Sequence, residues 1–199
     1  MNVYDFDGTI YDGDSTVDFF LYAMKRKPGL ARCLPKQLWG FVLYGTKQID
    51  KTRLKEYFFC FLLAINAGEL TESFWNQNQH KIFDWYLKQQ KQDDIIISAS
   101  PKFLLQPICK RLGIRHLIAS EVDPDTGIFT GENCRGLEKV RRLEAEYNVT
   151  HIDSFYSDSY SDLPLAKIAD KAFLVEKGMV KEWNADLVHH RNDNQLCGK

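Results

Sequence analysis

The sequence lacks the features that mark membrane-spanning, disulfide-bonded and nucleic-acid-binding proteins. Its longest apolar run extends from Tyr57 to Ile65, which is too short to cross a bilayer. The five cysteines are scattered and have no CxxC spacing, so neither a disulfide framework nor a zinc site is expected. The formal net charge of −1 gives no general attraction to nucleic acid.

The first residues also lack the basic and apolar segments of a signal peptide, so a cytoplasmic location is expected. What is present is enough apolar material for a folded protein. With 199 residues and 44% hydrophobic content, the chain can build one sizeable core, alone or with a small second domain. An aromatic content of 13% argues against disorder.

Hydrophobic periodicity divides the chain into an α/β core and an insert. Between residues 15 and 92, apolar residues recur at helical spacing, which predicts roughly four helices and no strand. In residues 1–14 and 93–199, short β-branched or aromatic runs alternate with helical segments. That alternation predicts an α/β core, a parallel sheet with helices on both faces. Beyond Lys177 the chain turns polar, and a short hairpin and a loosely held tail are expected.

Polar side chains follow three of the predicted strands. Asp5 and Asp7 end the first strand, Ser98 ends a second, and Asp158 and Asp162 follow a third. Because the carboxyl ends of parallel strands meet at one edge, these groups should converge there. Four carboxylates in one place repel each other unless they hold a cation, and oxygen ligands suit Mg²⁺. A solvated strand end is the alternative for the first pair, and an N-cap is the alternative for Asp162.

Ser98 and Lys139 are weaker candidates when each is considered alone. A serine at the position of Ser98 is usually a capping or structural residue. Ser100 is a good N-cap and Pro101 a good first helical residue, which would leave the hydroxyl of Ser98 free to face a ligand. Lys139 lies on the first turn of an amphipathic helix, where a lysine is usually solvated.

Together these motifs resemble those of the haloacid dehalogenase-like phosphohydrolase superfamily. Asp5–Thr9 is similar to its DxDGT signature, and Ser98 ends an apolar strand as in its second motif. Lys139 and the acidic segment Ser157–Asp162 follow in the family's order. The resemblance implies a Rossmann-like core. The insert at 15–92 is similar to the helical cap of the subfamily that includes phosphoserine phosphatases.

The resemblance also implies a role for each of these residues. Asp5 would be the nucleophile that forms an aspartyl-phosphate, and Asp7 would be the general acid and then the base. Mg²⁺ would be held by the Asp5 carboxylate, the Asp7 main-chain carbonyl and Asp158.

The other motif residues would support this chemistry. Ser98 and Lys139 would bind the phosphoryl oxygens. Gly8, which has no side chain, would leave space above its backbone for the phosphate. Asp162 would orient Lys139 or a metal-bound water.

The expected activity is hydrolysis of a small phosphorylated metabolite, and the insert would select it. Nine basic and two acidic residues between Lys25 and Glu56 could steer anionic substrates, although a solvated helix face is an equal alternative. The sequence departs from the phosphoserine phosphatases in having no clear acidic partner for a substrate amine, although Asp14 lies in the corresponding region, so it does not predict an amino-acid substrate. The aromatic runs at 39–41 and 57–61 are interpreted as cap core, with a lipid-phosphate or membrane-surface role as the alternative.

Two other functions stay open at this point. A phosphotransferase or mutase would use the same fold and the same residues. The other is a non-catalytic phosphate-binding module, although such a module would not need all four aspartates. Nothing in the sequence indicates the oligomeric state.

Overall fold

The computed structural model describes residues 1–183, which form one six-stranded sheet covered by helices. The strands are β1 (Asn2–Tyr4), β2 (Ile95–Pro101), β3 (His116–Ser120), β4 (Ile152–Ser157), β5 (Ala169–Glu176) and β6 (Met179–Glu182). Their order is β3-β2-β1-β4-β5-β6. The first five are parallel, and β6 pairs antiparallel with β5. This confirms the predicted α/β sheet and the final hairpin, whereas the predicted tail beyond residue 183 lies outside the described residues.

Eight α-helices accompany the sheet within the described residues. They are α1 (Ser15–Arg26), α2 (Leu34–Gly45), α3 (Lys51–Phe58), α4 (Ala67–Asn78), α5 (Asp84–Gln89), α6 (Lys102–Arg111), α7 (Leu137–Tyr147) and α8 (Leu163–Ala166). Residues 15–92, all of them described, contain five of these helices and three 3-10 turns where four helices were predicted, and no β-strand. Within residues 1–183, no helix is long and apolar enough to cross a membrane.

The two faces of the sheet build two apolar cores, because successive side chains of a strand point to opposite faces. Tyr4 and Ile96 face a cluster formed with α1, α4, α5 and α6. Their neighbours Val3 and Ile95 face the other cluster, which contains Leu143 of α7 and residues of α8. The sheet is therefore buried on both sides, as parallel sheets generally are.

The second half of the insert packs directly on the sheet. The ring of Trp75 on α4 lies 5.9 Å from that of Phe6, and its indole N–H donates a 2.6 Å hydrogen bond to the carbonyl of Leu104 on α6. Tyr86 of α5 contacts Tyr4 edge to face. The domain boundaries at 15 and 92 stay predictions, but α4 and α5 belong to the layer that covers the sheet.

A tight turn after β1 directs the chain from the sheet into the helices. The amides of Thr9, Ile10 and Tyr11 all donate to the carbonyl of Phe6, and Asp14 caps α1 through the amides of Thr16 and Val17. The turn leaves the carboxyl end of β1 open between the ends of β2 and β4. The strand order reverses at this point, which is where α/β sheets bind ligands.

Candidate active site

A cavity of about 350 Å³ opens at the carboxyl ends of β1, β2 and β4. Six of the seven predicted site residues line it, namely Asp5, Asp7, Ser98, Lys139, Asp158 and Asp162. The seventh, Gly8, lies directly beneath Asp158. Residues as far apart in the chain as 5 and 162 are thus brought together, as the convergence of parallel strand ends requires.

At the floor of the cavity, Lys139 lies between two buried carboxylates. Its ammonium is 2.7 Å from Asp162 Oδ2 and 3.0 Å from Asp5 Oδ1. Burial would lower the pKa of Lys139, but Asp5 and Asp162 outweigh it and raise that pKa, so the lysine stays charged. The amphipathic helix therefore turns this lysine inward, and only 1% of Lys139 is exposed.

The Asp5 carboxylate is buried and held in place on one oxygen. Asp5 Oδ1 accepts a 2.9 Å hydrogen bond from the backbone amide of Phe6 in addition to its contact with Lys139. Burial raises the pKa of Asp5 to about 8, because the opposing effect of Lys139 is smaller and Asp162 adds a like charge. Additional positive charge beside this group would favour its ionised form.

Asp7 has different surroundings. Its two oxygens accept hydrogen bonds from the backbone amide of Ser15, at 2.7 Å, and from the hydroxyl of Ser100, at 2.5 Å. Burial, followed by the charge of Asp14, raises the pKa of Asp7 to about 6, although these hydrogen bonds lower it. Asp7 can therefore exchange a proton near neutral pH.

The prediction that Ser100 caps helix α6 is wrong. Pro101 occupies the N-cap position, and Ser100 belongs to β2. A register shift of β2 against β3 after Ser98 accompanies this arrangement. The hydroxyl of Ser100 donates to Asp7, and its backbone amide donates to Ser98 Oγ at 3.1 Å. Both serines thus line the cavity.

Gly8 allows Asp158 to approach the turn after β1. Gly8 has a φ of +69°, and a Cβ atom there would collide with the Asp158 carboxylate. The backbone amide of Asp158 donates to the hydroxyl of Thr9 at 2.9 Å, which fixes the approach. The space above Gly8 therefore holds the carboxylate of Asp158. The contact between Gly8 and the phosphate stays a prediction.

Asp162 occupies the predicted N-cap position of α8, but its side chain does not act as a cap, because it makes no capping hydrogen bond there. Instead, Asp162 Oδ2 accepts from Lys139 and from the hydroxyl of Ser157 at 2.9 Å. Its other oxygen, Oδ1, is buried and has no hydrogen-bond partner among residues 1–183. A buried orphan oxygen of this kind needs a partner such as a metal-bound water.

The donor set fits Mg²⁺. Asp5 and Asp158 both present carboxylates to the cavity, and Asp162 Oδ1 is the orphan oxygen beside them. Among residues 1–183, no group of three or more His, Cys, Asp or Glu side chains is arranged to bind a metal by itself. Mg²⁺ does not require one, because it usually keeps several waters and takes one or two carboxylates.

The rest of the cavity wall combines apolar and basic side chains. The apolar part is formed by Val17, Phe41, Leu54, Phe58 and Phe59, and the basic part by Lys51, Lys55 and Arg135. The Lys55 ammonium donates to the carbonyl of Ala99 at 2.7 Å, and burial lowers its pKa to about 8. Asp14 also lines the cavity while it caps α1.

Sequence reasoning missed several residues of the site. Thr9 belongs to the first motif and Ser157 to the last, but the sequence pattern indicates no role for either. Lys51 and Lys55 belong to the basic excess of the insert, which indicated charge but no position. Arg135 lies in a loop, and no sequence pattern indicated its place.

Comparisons with known proteins agree with this geometry. A family model described as haloacid dehalogenase-like hydrolase matches residues 3–167. A probable phosphatase of Mycobacterium tuberculosis is 34% identical over 101 residues, which cover 46% of this chain and 35% of that relative. The chain thus spans about a third of the length of the curated relatives it matches.

Solved structures show a similar fold. A protein of unknown function from Bordetella pertussis Tohama I is 20% identical with a TM-score of 0.68, covering 86% of this chain and 87% of that one. A phosphoserine phosphohydrolase-like protein from Francisella tularensis is 18% identical with a TM-score of 0.55, covering 86% and 84%. At these identities the likeness concerns the fold alone.

Proposed function

Since the chain belongs to the haloacid dehalogenase-like hydrolase family, we propose that it is a Mg²⁺-dependent phosphomonoester hydrolase acting through an aspartyl-phosphate on Asp5. The observation that carries this proposal is the pair of unequal carboxylates in one cavity. Asp5 contacts the Lys139 ammonium, whereas Asp7 is held by a backbone amide and a hydroxyl. One group is arranged for attack and the other for proton transfer.

In the first step, a carboxylate oxygen of Asp5 forms a bond to phosphorus, and the bond from phosphorus to the substrate's ester oxygen breaks. Protonated Asp7 gives its proton to that oxygen, so that an alcohol leaves. Lys139 and the hydroxyl of Ser98 bind the phosphoryl oxygens as the charge on them redistributes. Ser100 and the amide of Ser15 hold the Asp7 carboxyl in position.

In the second step, water attacks the phosphorus of the aspartyl-phosphate. Asp7 now accepts a proton from that water, and the bond between phosphorus and Asp5 breaks to release inorganic phosphate. Asp7 is thereby protonated again for the next substrate. When bound by Asp5, the Asp7 carbonyl and Asp158, Mg²⁺ would offset the repulsion between the carboxylates and the phosphate.

The size and lining of the cavity support the proposed substrate class. A space of about 350 Å³ accommodates a phosphate and the atoms next to it. The predicted substrate is therefore an organic phosphate monoester, and the apolar and basic wall would contact its organic part. The probable phosphatase among the relatives supports the same reaction class.

The first test replaces Asp5, because no other side chain of the proposal can take its place as nucleophile. Asp5→Asn should lower hydrolysis of p-nitrophenyl phosphate in Mg²⁺ by at least about 10⁴-fold. The matched control is Asp12→Asn, an exposed carboxylate in the same turn that does not line the cavity. Its activity should stay near that of the unaltered protein. Retained activity in Asp5→Asn would refute the proposal.

A second measurement separates the proposed hydrolase from the alternatives. Asp7→Asn should let phosphate accumulate on Asp5 when the leaving group is an aryl oxide, because aryl oxides need little protonation. Mass spectrometry of the acid-quenched variant should place one phosphoryl group on Asp5. Faster transfer to an added alcohol than to water would indicate a phosphotransferase. No hydrolysis across a broad phosphate panel would indicate a binding module.

A further inference from the structure

Helix α2 packs against the protein through its small and polar side chains. Gln37 is 4% exposed, and its amide N–H donates a 2.8 Å hydrogen bond to the carbonyl of Phe58. Gly40 is also buried, and a Cβ atom there would lie 2.5 Å from the Cβ of Tyr57. The close contact between α2 and α3 thus depends on a glycine and a glutamine.

The rest of α2 turns large apolar side chains toward solvent. The exposed residues are Leu34, Leu38, Trp39, Phe41, Val42 and Tyr44, with exposed fractions from 39% to 64%. The interpretation of Trp39 and Phe41 as core is therefore wrong, whereas Phe59 and Phe61 of the second aromatic run are buried. The shape of the contact explains the difference, since only a glycine fits against Tyr57 and the aromatic residues must face outward.

This orientation is the reverse of that found in an ordinary surface helix. Helices on soluble proteins turn their apolar stripe inward and their charged residues outward. A contiguous apolar face of this kind marks an interaction surface. Trp39 and Tyr44 add amphipathic rings, which favour the boundary between water and lipid headgroups.

The charge around the helix indicates which partner the surface fits. The segment from Lys25 to Ile49 contains six basic residues and no acidic one. Arg32, Lys36 and Lys47 precede, lie on and follow α2, and all three are exposed. An apolar face bordered by basic residues matches an anionic phospholipid surface. A second copy of the chain, which would bring the same basic residues together, is disfavoured by repulsion.

The apolar surface is continuous with the candidate active site. Phe41 is 54% exposed on α2 and also lines the cavity. Val17 of α1 is likewise both exposed and part of the cavity wall. A protein that rests on this surface would hold the mouth of its cavity at the lipid headgroups.

From these observations we infer that α2 is an interfacial helix that docks the protein on anionic membranes, where it receives phosphate monoesters carrying an apolar tail. The substrate class rests on the proposed function, whereas the docking does not. The helix lies on the membrane and does not cross it, because its 12 residues span only about 18 Å. The apolar cavity wall takes the first part of the tail, and the remainder stays in the lipid.

The experiment measures binding to vesicles separately from activity. The full chain is sedimented with vesicles of equal parts phosphatidylcholine and phosphatidylglycerol, and with vesicles of phosphatidylcholine alone. The tested variant is Leu38→Gln with Val42→Gln, since both side chains are exposed and neither lines the cavity. Glutamine keeps helix propensity, so the change removes apolar contact alone. The matched control is Leu87→Gln with Met179→Gln, which alters exposed apolar residues elsewhere.

The unaltered protein should bind the anionic vesicles, and added salt or removal of phosphatidylglycerol should weaken binding. The α2 variant should bind at least about tenfold more weakly, because it lacks two apolar side chains that would be buried in the membrane on binding. The control should bind as the unaltered protein does. Indole emission should shift to shorter wavelength on binding, and Trp39→Phe should lose that shift.

Several results would overturn the inference. These are absence of vesicle binding, equal binding by the α2 variant, or self-association that the α2 variant abolishes. For the substrate class, the α2 variant should lose hydrolysis of phosphatidate in vesicles and keep hydrolysis of p-nitrophenyl phosphate. Vesicle binding without any hydrolysis would refute the proposed function and leave the docking intact. Hydrolysis of the soluble ester without vesicle binding would refute the docking and leave the proposed function intact.

Discussion

At the scale of single residues, the site depends on carboxylates whose surroundings differ. Asp5 and Asp162 share the ammonium of Lys139, which offsets part of the effect of burial on the pKa of Asp5. Asp7 has no such cation among its hydrogen-bond partners and accepts from Ser15 and Ser100 instead. This difference in hydrogen-bond partners supports the proposed roles of Asp5 in attack and Asp7 in proton transfer.

Ser100→Ala should move the pH profile of the reaction. Burial and Asp14 raise the pKa of Asp7, while the hydrogen bond from Ser100 lowers it, so removing the hydroxyl should raise that pKa further. The reaction needs protonated Asp7, and its rate falls as pH rises through this pKa. The alkaline limb of kcat for an alkyl phosphate should therefore shift to higher pH in the variant.

The control for this prediction is Ser73→Ala, which removes a hydroxyl on α4 that bonds the carbonyl of Leu70. Its pH profile should match that of the unaltered protein. If the alkaline limb of kcat in Ser100→Ala stays at the same pH and only the rate is lower, Ser100 does not act through the proton on Asp7.

Asp94 supplies a pH effect that is independent of the site. It is buried just before β2, burial raises its pKa above 3.8, and its Oδ1 has no hydrogen-bond partner in the described part of the chain. Ionisation is thus harder in the folded state, so the contribution of Asp94 to stability is full below pH 3.8 and is lost as pH rises through the folded-state pKa. Asp94→Asn should raise the free energy of unfolding at about pH 7 and lose this advantage near pH 4.

Urea unfolding at the two pH values measures the effect. The neighbouring exposed Asp93→Asn serves as the control and should change stability little at either pH. A lower stability of Asp94→Asn at neutral pH would show that the ionised carboxylate is needed there.

At the scale of elements, the turn after β1 decides whether Asp158 can reach the site. Gly8→Ala introduces a Cβ both at a φ of +69° and against the Asp158 carboxylate. Gly113→Ala has nearly the same φ, +73°, but meets nothing within 4 Å. Both should cost about 1–2 kcal/mol of backbone strain, and Gly8→Ala a further ~1–3 kcal/mol from the clash.

Denaturant unfolding and hydrolysis rates together test this comparison. Gly113→Ala should keep its activity, whereas Gly8→Ala should lose most of it because Asp158 is displaced. Equal stability losses and equal activities in the two variants would show that the contact between Gly8 and Asp158 has no consequence.

Elements that carry strong local signals could be predicted from the sequence. The β-branched run at 95–97 and the helical spacing through Leu104 and Ile108 gave the right element types. The outward face of α2 could not be predicted, because the helix is apolar on most of its circumference and the contact of Gly40 with Tyr57 comes from α3. Periodicity locates a helix, but it does not say which side is covered.

Some residues of the candidate site could likewise be predicted from the sequence, and others could not. Asp5, Ser98 and Asp158 were predictable because the carboxyl ends of parallel strands must meet. Ser100 and Thr9 were not, because their roles depend on hydrogen bonds to residues 93 and 149 positions away. Such contacts leave no periodic trace in the chain.

At the scale of the whole molecule, Mg²⁺ should stabilise the folded state. The proposed ion site exists only in the folded state, where the carboxylates that follow β1 and β4 come together, and binding to the folded state alone raises stability by mass action. At about a hundred times its Kd, Mg²⁺ should add about 2.7 kcal/mol, or about 5–10 °C in Tm for a chain of this size. Thermal unfolding with Mg²⁺ and with a chelator measures the shift.

Asp158→Asn should lose most of this shift, because it removes one of the two proposed carboxylate ligands. Asp123→Asn, an equivalent change at a carboxylate outside the cavity, should keep it. A shift of the same size in Asp158→Asn would place the ion elsewhere.

The strand order also has a consequence for the timing of synthesis. β1 is made first, yet it pairs with β2 and β4, which begin at residues 95 and 152. At roughly 5–20 residues per second, β1 leaves the ribosome roughly 7–30 s before β4 is complete. The helices between them have local backbone hydrogen bonds and can form during this interval, before their contacts with the sheet are complete. Asp5 and Asp7 are thus synthesised well before Asp158 and Asp162, and the candidate site is complete only after β4 has been made.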